Sequence, residues 1–196
     1  KASRDPSYAY TREHDHFRYL DRLLGSQADA VVTLTRGMKS ELVARGVQEK
    51  KISLVPNSSN PDRYAPQSKD PELVKFLGFE IDTPILGYIG TIVDYEGLDD
   101  LLDACAILKE RGLTFGVVIV GSEQATKKET GSLSQELVSR AEKLGLTNRV
   151  VFVGRVSHGL VSKYYNVLDV AVYPRKPWSV CEVVSPIKPL EAMAME

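Results

Sequence analysis

Phe115-Gly116-Val117-Val118-Ile119-Val120-Gly121 is apolar from end to end. A strand with one wet face alternates apolar and polar residues, whereas a strand covered on both faces reads as a continuous apolar run. This stretch is therefore expected at the centre of a parallel sheet. The flanking segments agree. Upstream, Ile85 to Ile92 reads as a strand leading through Asp94-Tyr95-Glu96-Gly97 into a helix from Leu98 to Lys109, closed by Gly112. Leu98, Leu101, Leu102, Cys105 and Leu108 give that helix the broad apolar stripe of one laid on a sheet. Downstream, past a polar stretch over 122–131, come a helix from Leu133 to Leu144, a strand from Val150 to Val153, a helix from Leu160 to Val167 and a strand from Val170 to Tyr173. Strands alternating with helices of this size imply right-handed crossovers and a doubly wound α/β sheet.

A smaller series precedes it. Tyr10 to Gly25 has the spacing of an amphipathic helix ending near its glycine, Ala30 to Leu34 is a β-branched run, Met38 to Ala44 a short helix closed by Gly46, and Ile52 to Pro56 a second strand. Asn57 to Asp70 is rich in Asn, Ser, Pro and Asp, with Pro61 and Pro66 breaking regular structure, so a domain seam is expected there, followed by a short helix from Pro71 to Leu77.

Composition narrows the function. Of 196 residues, 43% are hydrophobic, enough for a real core, and 25 Lys and Arg against 26 Asp and Glu leave a net charge of -1. Such a balance advertises neither nucleic acid nor an anionic membrane, so any anion must be gripped locally. Cys105 and Cys181 show no CxxC or metal-ligand spacing and read as reduced thiols in a cytoplasmic setting. No apolar run reaches the roughly 18 residues of a membrane span, and the first residues show no signal peptide.

The chemistry is expected near the end of the sequence. Ser185-Pro186-Ile187-Lys188-Pro189-Leu190-Glu191 sets a proline-punctuated loop against a helix start that carries a lysine and a glutamate, shortly after a strand. Crossovers of this kind hold phosphorylated ligands in α/β proteins. Arg175 stands just past the carboxyl end of the preceding strand, where ligands gather in open sheets. No Gly-x-Gly-x-x-Gly opens any strand-helix unit, which argues against a dinucleotide-dependent dehydrogenase.

Several separated motifs occur in one order. They are Ala28-Asp29-Ala30-Val31-Val32-Thr33-Leu34-Thr35, Lys51-Ile52-Ser53-Leu54-Val55-Pro56-Asn57, Arg63-Tyr64-Ala65-Pro66, Gly87-Tyr88-Ile89-Gly90, Phe152-Val153-Gly154-Arg155-Val156, and Pro186 with Leu190-Glu191-Ala192-Met193-Ala194. In this order the sequence resembles the GT-B glycosyltransferases, specifically the retaining group 1 enzymes also called family 4. The resemblance implies a Rossmann-like GT-B fold, truncated here. Residues 1–63 would close an acceptor-side domain, and 64–196 would form a donor-binding domain incomplete at its C-terminus. It implies transfer of a sugar from a nucleotide-sugar donor to an unidentified acceptor (a glycan, lipid or small molecule), with no metal, no separate cofactor and no nucleic-acid partner. It is also compatible with peripheral membrane association through regions outside this sequence.

Carried over by motif, the resemblance places Gly90, Thr91, Ser185, Pro186 and Ile187 beside the donor diphosphate, Arg155 and Val156 at the nucleobase, and Glu191 at the ribose. Two departures matter. Family members usually space two glutamates by seven residues, whereas Glu182 and Glu191 have eight between them; the expected first position is Val183, and Glu182 can serve only from a bulged loop. The family's usual Arg and Lys after the first donor-domain strand align with Thr91 and Glu96. The cationic grip is therefore expected from Lys188 and Arg175, with Lys176 as a third candidate.

Each assignment has a plainer rival. Lys188 and Glu191 could form an exposed i, i+3 ion pair. Arg175 and Lys176 could be a solvated loop pair. Asp94 and Glu96 read most simply as acids in a helix N-terminal turn. His14 and His16 read as surface residues, His158 as a capping-region residue, Asp169 as a helix terminator, Asn57 as a turn former, and Tyr164, Tyr165 and Trp178 as core or boundary aromatics. A catalytically idle GT-B-like module is the alternative to a transferase.

Overall fold

The computed structural model describes residues 12–123 and 132–195. The chain divides into two compact units. The first runs to Ser58 and takes in Lys176–Ile187; the second comprises Ser59–Arg175 and resumes at Lys188.

In the first unit, α1 (Arg12–Gln27) is followed by β1 (Val31–Thr33), α2 (Arg36–Ala44) and β2 (Ile52–Leu54), and a short α7 (Ser179–Val183) joins them from the later segment. The two strands are parallel, with Val31 opposite Ile52 and Thr33 opposite Leu54. α1 runs two residues past the expected stop at Gly25. That glycine is buried, and a Cβ on it would lie 2.6 Å from Val47 Cγ2, so its function is close packing rather than termination. Thr35 caps α2: its Oγ1 accepts from Met38 N at 3.0 Å and donates to Val183 O. Asn57, expected as a simple turn former, donates from Nδ2 to Ser185 O at 2.7 Å. These bonds help explain why 176–187 folds with this unit, which in the first part of the chain runs to Ser58, within the Asn57 to Asp70 stretch where a seam was expected.

The second unit holds a four-stranded parallel sheet in the order β5-β4-β3-β6, from β3 (Ile85–Ile89), β4 (Gly116–Val120), β5 (Val150–Gly154) and β6 (Val170–Ala171). Every residue of β4 is buried, as a central strand requires. Its alternate side chains feed two cores. Val117 and Ile119 pack with Leu101, Leu102 and Cys105 of α4 (Leu98–Glu110) and Leu137 of α5 (Leu133–Lys143). Val118 and Val120 pack with Val74 of α3 (Pro71–Phe76) and with Tyr164 and Tyr165 of α6 (Val161–Asn166). Helices thus cover both faces of the sheet, which makes it doubly wound.

Asp70 caps α3, its carboxylate accepting from Glu72 N and Leu73 N, with Pro71 pre-set for the first turn. Asp169 does more than end a helix. Its Oδ2 accepts from Ile85 N at 2.8 Å and from Lys69 Nζ at 2.6 Å, pinning the start of β6 to the start of β3. The last helix, α8 (Lys188–Met193), begins at the residue where the chain re-enters this unit.

Candidate functional site

The carboxyl ends of β3, β4 and β5 open into a cleft of about 720 Å³ whose lining includes Gly90, Thr91, Gly121, Arg155, Val156 and His158. Ligands collect at this end of open parallel sheets, and the volume suits a small molecule. The strands approach closely at its floor because both turns lack side chains: a Cβ on Gly121 would lie 1.8 Å from the carbonyl oxygen of Gly90. His158, expected only as a capping-region residue, lines the cleft from a short 3-10 turn, and its carbonyl accepts from Arg63.

Lys188 lies along the turn after β3. A Cβ on Gly90 would sit 2.4 Å from Lys188 Cε and 2.8 Å from Nζ, so the lysine occupies the space a side chain at Gly90 would fill. Its ammonium donates to Glu96 Oε1 at 2.7 Å and to Tyr88 Oη at 2.8 Å, and Tyr88 Oη donates in turn to Thr91 O at 2.7 Å. Burial pushes the Lys188 pKa below the ordinary lysine value, Glu96 pulling it back up and Arg175 adding to the fall. Burial, reinforced by Glu96, pushes the Tyr88 hydroxyl well above the ordinary tyrosine value.

Glu96 lies in the turn before α4, as expected of an acid at a helix start, but it is buried there. It is 3% exposed and the meeting point of both expected cations: Arg175 Nε lies 3.8 Å from the same Oε1 that Lys188 holds. The turn carrying it explains the burial. Gly97 adopts a φ of 70°, and a Cβ there would lie 1.9 Å from Pro174 O, so only glycine lets the turn before α4 press against the backbone beside Arg175. Arg175 also sits over the Tyr95 ring at 5.4 Å.

Glu191 is one turn further along α8. Tyr165 Oη donates to its Oε2 at 3.3 Å, and Tyr173 Oη donates to Lys188 O at 3.0 Å. Tyr64 packs edge-on against Tyr165 at 5.9 Å, its pKa pushed up to about 12 by burial first and then by Glu191. Tyr165 is the core aromatic expected and also donates to the Glu191 carboxylate, and the exposed Lys188–Glu191 pair is replaced by separate partners for each residue. Of the four tyrosines around the lysine and glutamate, Tyr165 and Tyr173 lie outside the ordered motifs, and Tyr64 and Tyr88 lie within them without a role of their own. Glu96 did carry a signal: an acid out of pattern in the turn after β3, with Lys188 expected to supply the missing cation.

The second unit therefore brings together Gly90, Thr91, Arg155 and Val156 around one cleft, Lys188 against Gly90, Arg175 with Lys188 on Glu96, and Glu191 on the same helix as Lys188. Glu182, Ser185, Pro186 and Ile187 fold with the first unit, where Glu182 is exposed on α7. No helix among the described residues is long and apolar enough to cross a membrane.

Residues 69–196 match the family described as glycosyl transferases group 1. The chain is 26% identical over 165 residues to a 2-deoxystreptamine glucosyltransferase of Streptomyces kanamyceticus, covering 83% of this chain and 41% of that protein. It is 30% identical over 132 residues to a lipopolysaccharide core biosynthesis mannosyltransferase of Rhizobium meliloti, covering 67% and 35%. Among solved structures, Anabaena HepE in complex with UDP-glucose matches with a TM-score of 0.74 and 18% identity, over 94% of this chain and 48% of that one. Sucrose-phosphate synthase of Thermosynechococcus elongatus matches with a TM-score of 0.71 and 20% identity, over 91% and 42%. The chain thus spans less than half the length of each of these proteins, and its fold is the α/β parallel-sheet fold of GT-B glycosyltransferases, in part.

Proposed function

Because the chain belongs to the group 1 glycosyl transferases, we propose that it supplies the donor-binding part of a retaining, family 4 transferase that moves a sugar from a nucleoside diphosphate to an acceptor hydroxyl. The bond between the sugar's anomeric carbon and the distal phosphate oxygen breaks, the acceptor oxygen bonds to that carbon, and the acceptor's proton passes to the departing diphosphate. Leaving-group charge is the main demand, and preorganised donors meet it best in a site that excludes water.

One observation carries the reading: the Lys188 ammonium is held against Gly90, a residue that lines the cleft at the strand ends. Arg175 adds a second cation through Glu96. The leaving group's charge is assigned to these two residues and to backbone N–H groups of the turn after β3. Glu191, oriented by Tyr165, accepts from the two ribose hydroxyls. Arg155 and Val156 flank the base from the end of β5. The UDP-glucose held by HepE, a structural neighbour, supports a nucleotide-sugar donor. The acceptor is a glycan, lipid or small molecule, and the setting is cytoplasmic.

The test is titration of the full-length protein with UDP- and GDP-sugars, followed by detection of released nucleoside diphosphate with candidate acceptors. Saturable binding and release are expected; no binding of either class would overturn the reading.

A further inference from the structure

Glu96 is the only charged side chain fully buried among the described residues. A buried carboxylate is costly unless paired, and removing its partner leaves an uncompensated charge, so its placement calls for a reason beyond filling space. It stands where two cations converge, 2.7 Å from Lys188 and 3.8 Å from Arg175. Its second oxygen, Oε2, and Arg175 Nε are both buried without a hydrogen-bond partner among the described residues, so Glu96 acts on Arg175 through charge alone.

We propose that Glu96 is a positioning residue that keeps Lys188 charged and fixed over the Gly90 turn. The proposal rests on the reading of the cleft as a nucleoside diphosphate site. Three features support it. An ammonium has three donors; Glu96 and Tyr88 take two in fixed directions, which leaves one for a ligand. Tyr88 is itself oriented, because its hydroxyl hydrogen is committed to Thr91 O and its lone pairs are left for the lysine. The stem lies directly over the turn, in the space that a side chain on Gly90 would fill.

The electrostatics point the same way. The groups facing Lys188 are Glu96 from the turn before α4, Tyr88 from β3, Arg175 from the loop after β6, and Glu191 one turn along its own helix. Burial and Arg175 both favour the neutral amine, and Glu96 is the foremost group opposing them. Without that carboxylate the lysine sheds its proton more readily, and a neutral amine gives a diphosphate only a weak donor.

Glu96→Gln separates this role from simple packing, since the amide keeps the shape and one acceptor while losing the charge. The first measurement needs no ligand: the titration of the Lys188 side chain by NMR in ¹³C-lysine-labelled full-length protein, its signal identified with Lys188→Arg. The midpoint is expected to fall by about 1 to 3 pH units in Glu96→Gln; a midpoint that does not move overturns the proposal. The second is calorimetric affinity for UDP and GDP, with uridine and guanosine as controls, between about pH 7 and 9. In Glu96→Gln, diphosphate affinity is expected to fall about tenfold or more across that range, against less than about threefold in the parent, with nucleoside affinity equal in both. Parallel diphosphate profiles would also overturn it. If the parent binds neither diphosphate, the transferase reading fails while the lysine titration still decides the role of Glu96. Should Glu96→Gln not fold, Glu96→Asp serves: a shorter carboxylate should leave the Lys188 midpoint near the parent's, and a fall as large as that expected for Gln would overturn the proposal.

Discussion

Lys188 Nζ lies 2.7 Å from Glu96 Oε1, joining the first residue of α8 to the turn that precedes α4. The pair spans 92 positions of sequence. Glu96 departs from the pattern that the sequence resembles, standing in the turn after β3 where a lysine is usual, and Lys188 of α8 is the lysine that meets it.

Lys188→Ala is expected to weaken UDP and GDP binding about tenfold to a hundredfold, as loss of a charged hydrogen bond does, while uridine and guanosine binding changes little. It should also destabilise the fold, because Glu96 is left buried and unpaired. Glu96→Leu combined with Lys188→Met removes both charges and is expected to be the more stable protein in urea titration, yet equally poor at holding a diphosphate.

Gly90→Ala places a methyl 2.4 Å from Lys188 Cε on a residue whose φ of 157° side chains rarely adopt, so the lysine must shift and the turn is strained. Diphosphate affinity should fall together with stability. Gly121→Ala drives its methyl into the Gly90 carbonyl, 1.8 Å away, where backbone must shift. Comparing the two by thermal unfolding should show Gly121→Ala losing several degrees more.

Asp169→Ala should cost about 1–3 kcal/mol in urea unfolding, because Ile85 is fully buried and its N–H would be left without an acceptor. Asp169→Asn keeps an acceptor oxygen and loses only the charge on Lys69, so it should cost less.

High pH should unfold the protein through its tyrosines. Tyr64, Tyr88, Tyr165 and Tyr173 all have hydroxyls pushed above the ordinary tyrosine value, chiefly by burial. The unfolded chain loses these protons near the usual value of about 10, the folded chain only above it. Their contribution to stability is therefore complete below about pH 10 and is lost as pH rises from there toward the folded values. Absorbance at 295 nm should show these four, among the nine tyrosines of the chain, ionising in step with loss of near-ultraviolet circular dichroism.

The sheet was legible because its signals are local. The unbroken apolar run at β4 required two covered faces, and the stripe of α4 required a sheet beneath it; both are realised. Gly90, Thr91, Arg155 and Val156, singled out by the resemblance, line one cleft because each follows a strand and parallel strands deliver their ends to the same edge. The burial of Glu96 was not legible, because it depends on Gly97 pressing against Pro174, a contact between loops with no periodicity to announce it. Tyr165 is the core aromatic it was expected to be, but its hydroxyl partner was hidden: a buried aromatic on a helix looks the same in sequence whatever its hydroxyl meets. The first unit's claim on 176–187 was hidden as well, since it rests on single hydrogen bonds from Thr35 and Asn57 to distant carbonyls.

That excursion has a consequence for dissecting the molecule. The chain passes between its units after Ser58, after Arg175 and before Lys188, so neither unit is encoded by one uninterrupted stretch of gene. A shortened chain beginning at residue 59 would carry 176–187 without Thr35 and Asn57, and a single protease nick in any one connection would leave the other two holding. The residues at the ends of that loop are the two cations themselves, so the tether and the charge cluster share their anchor points.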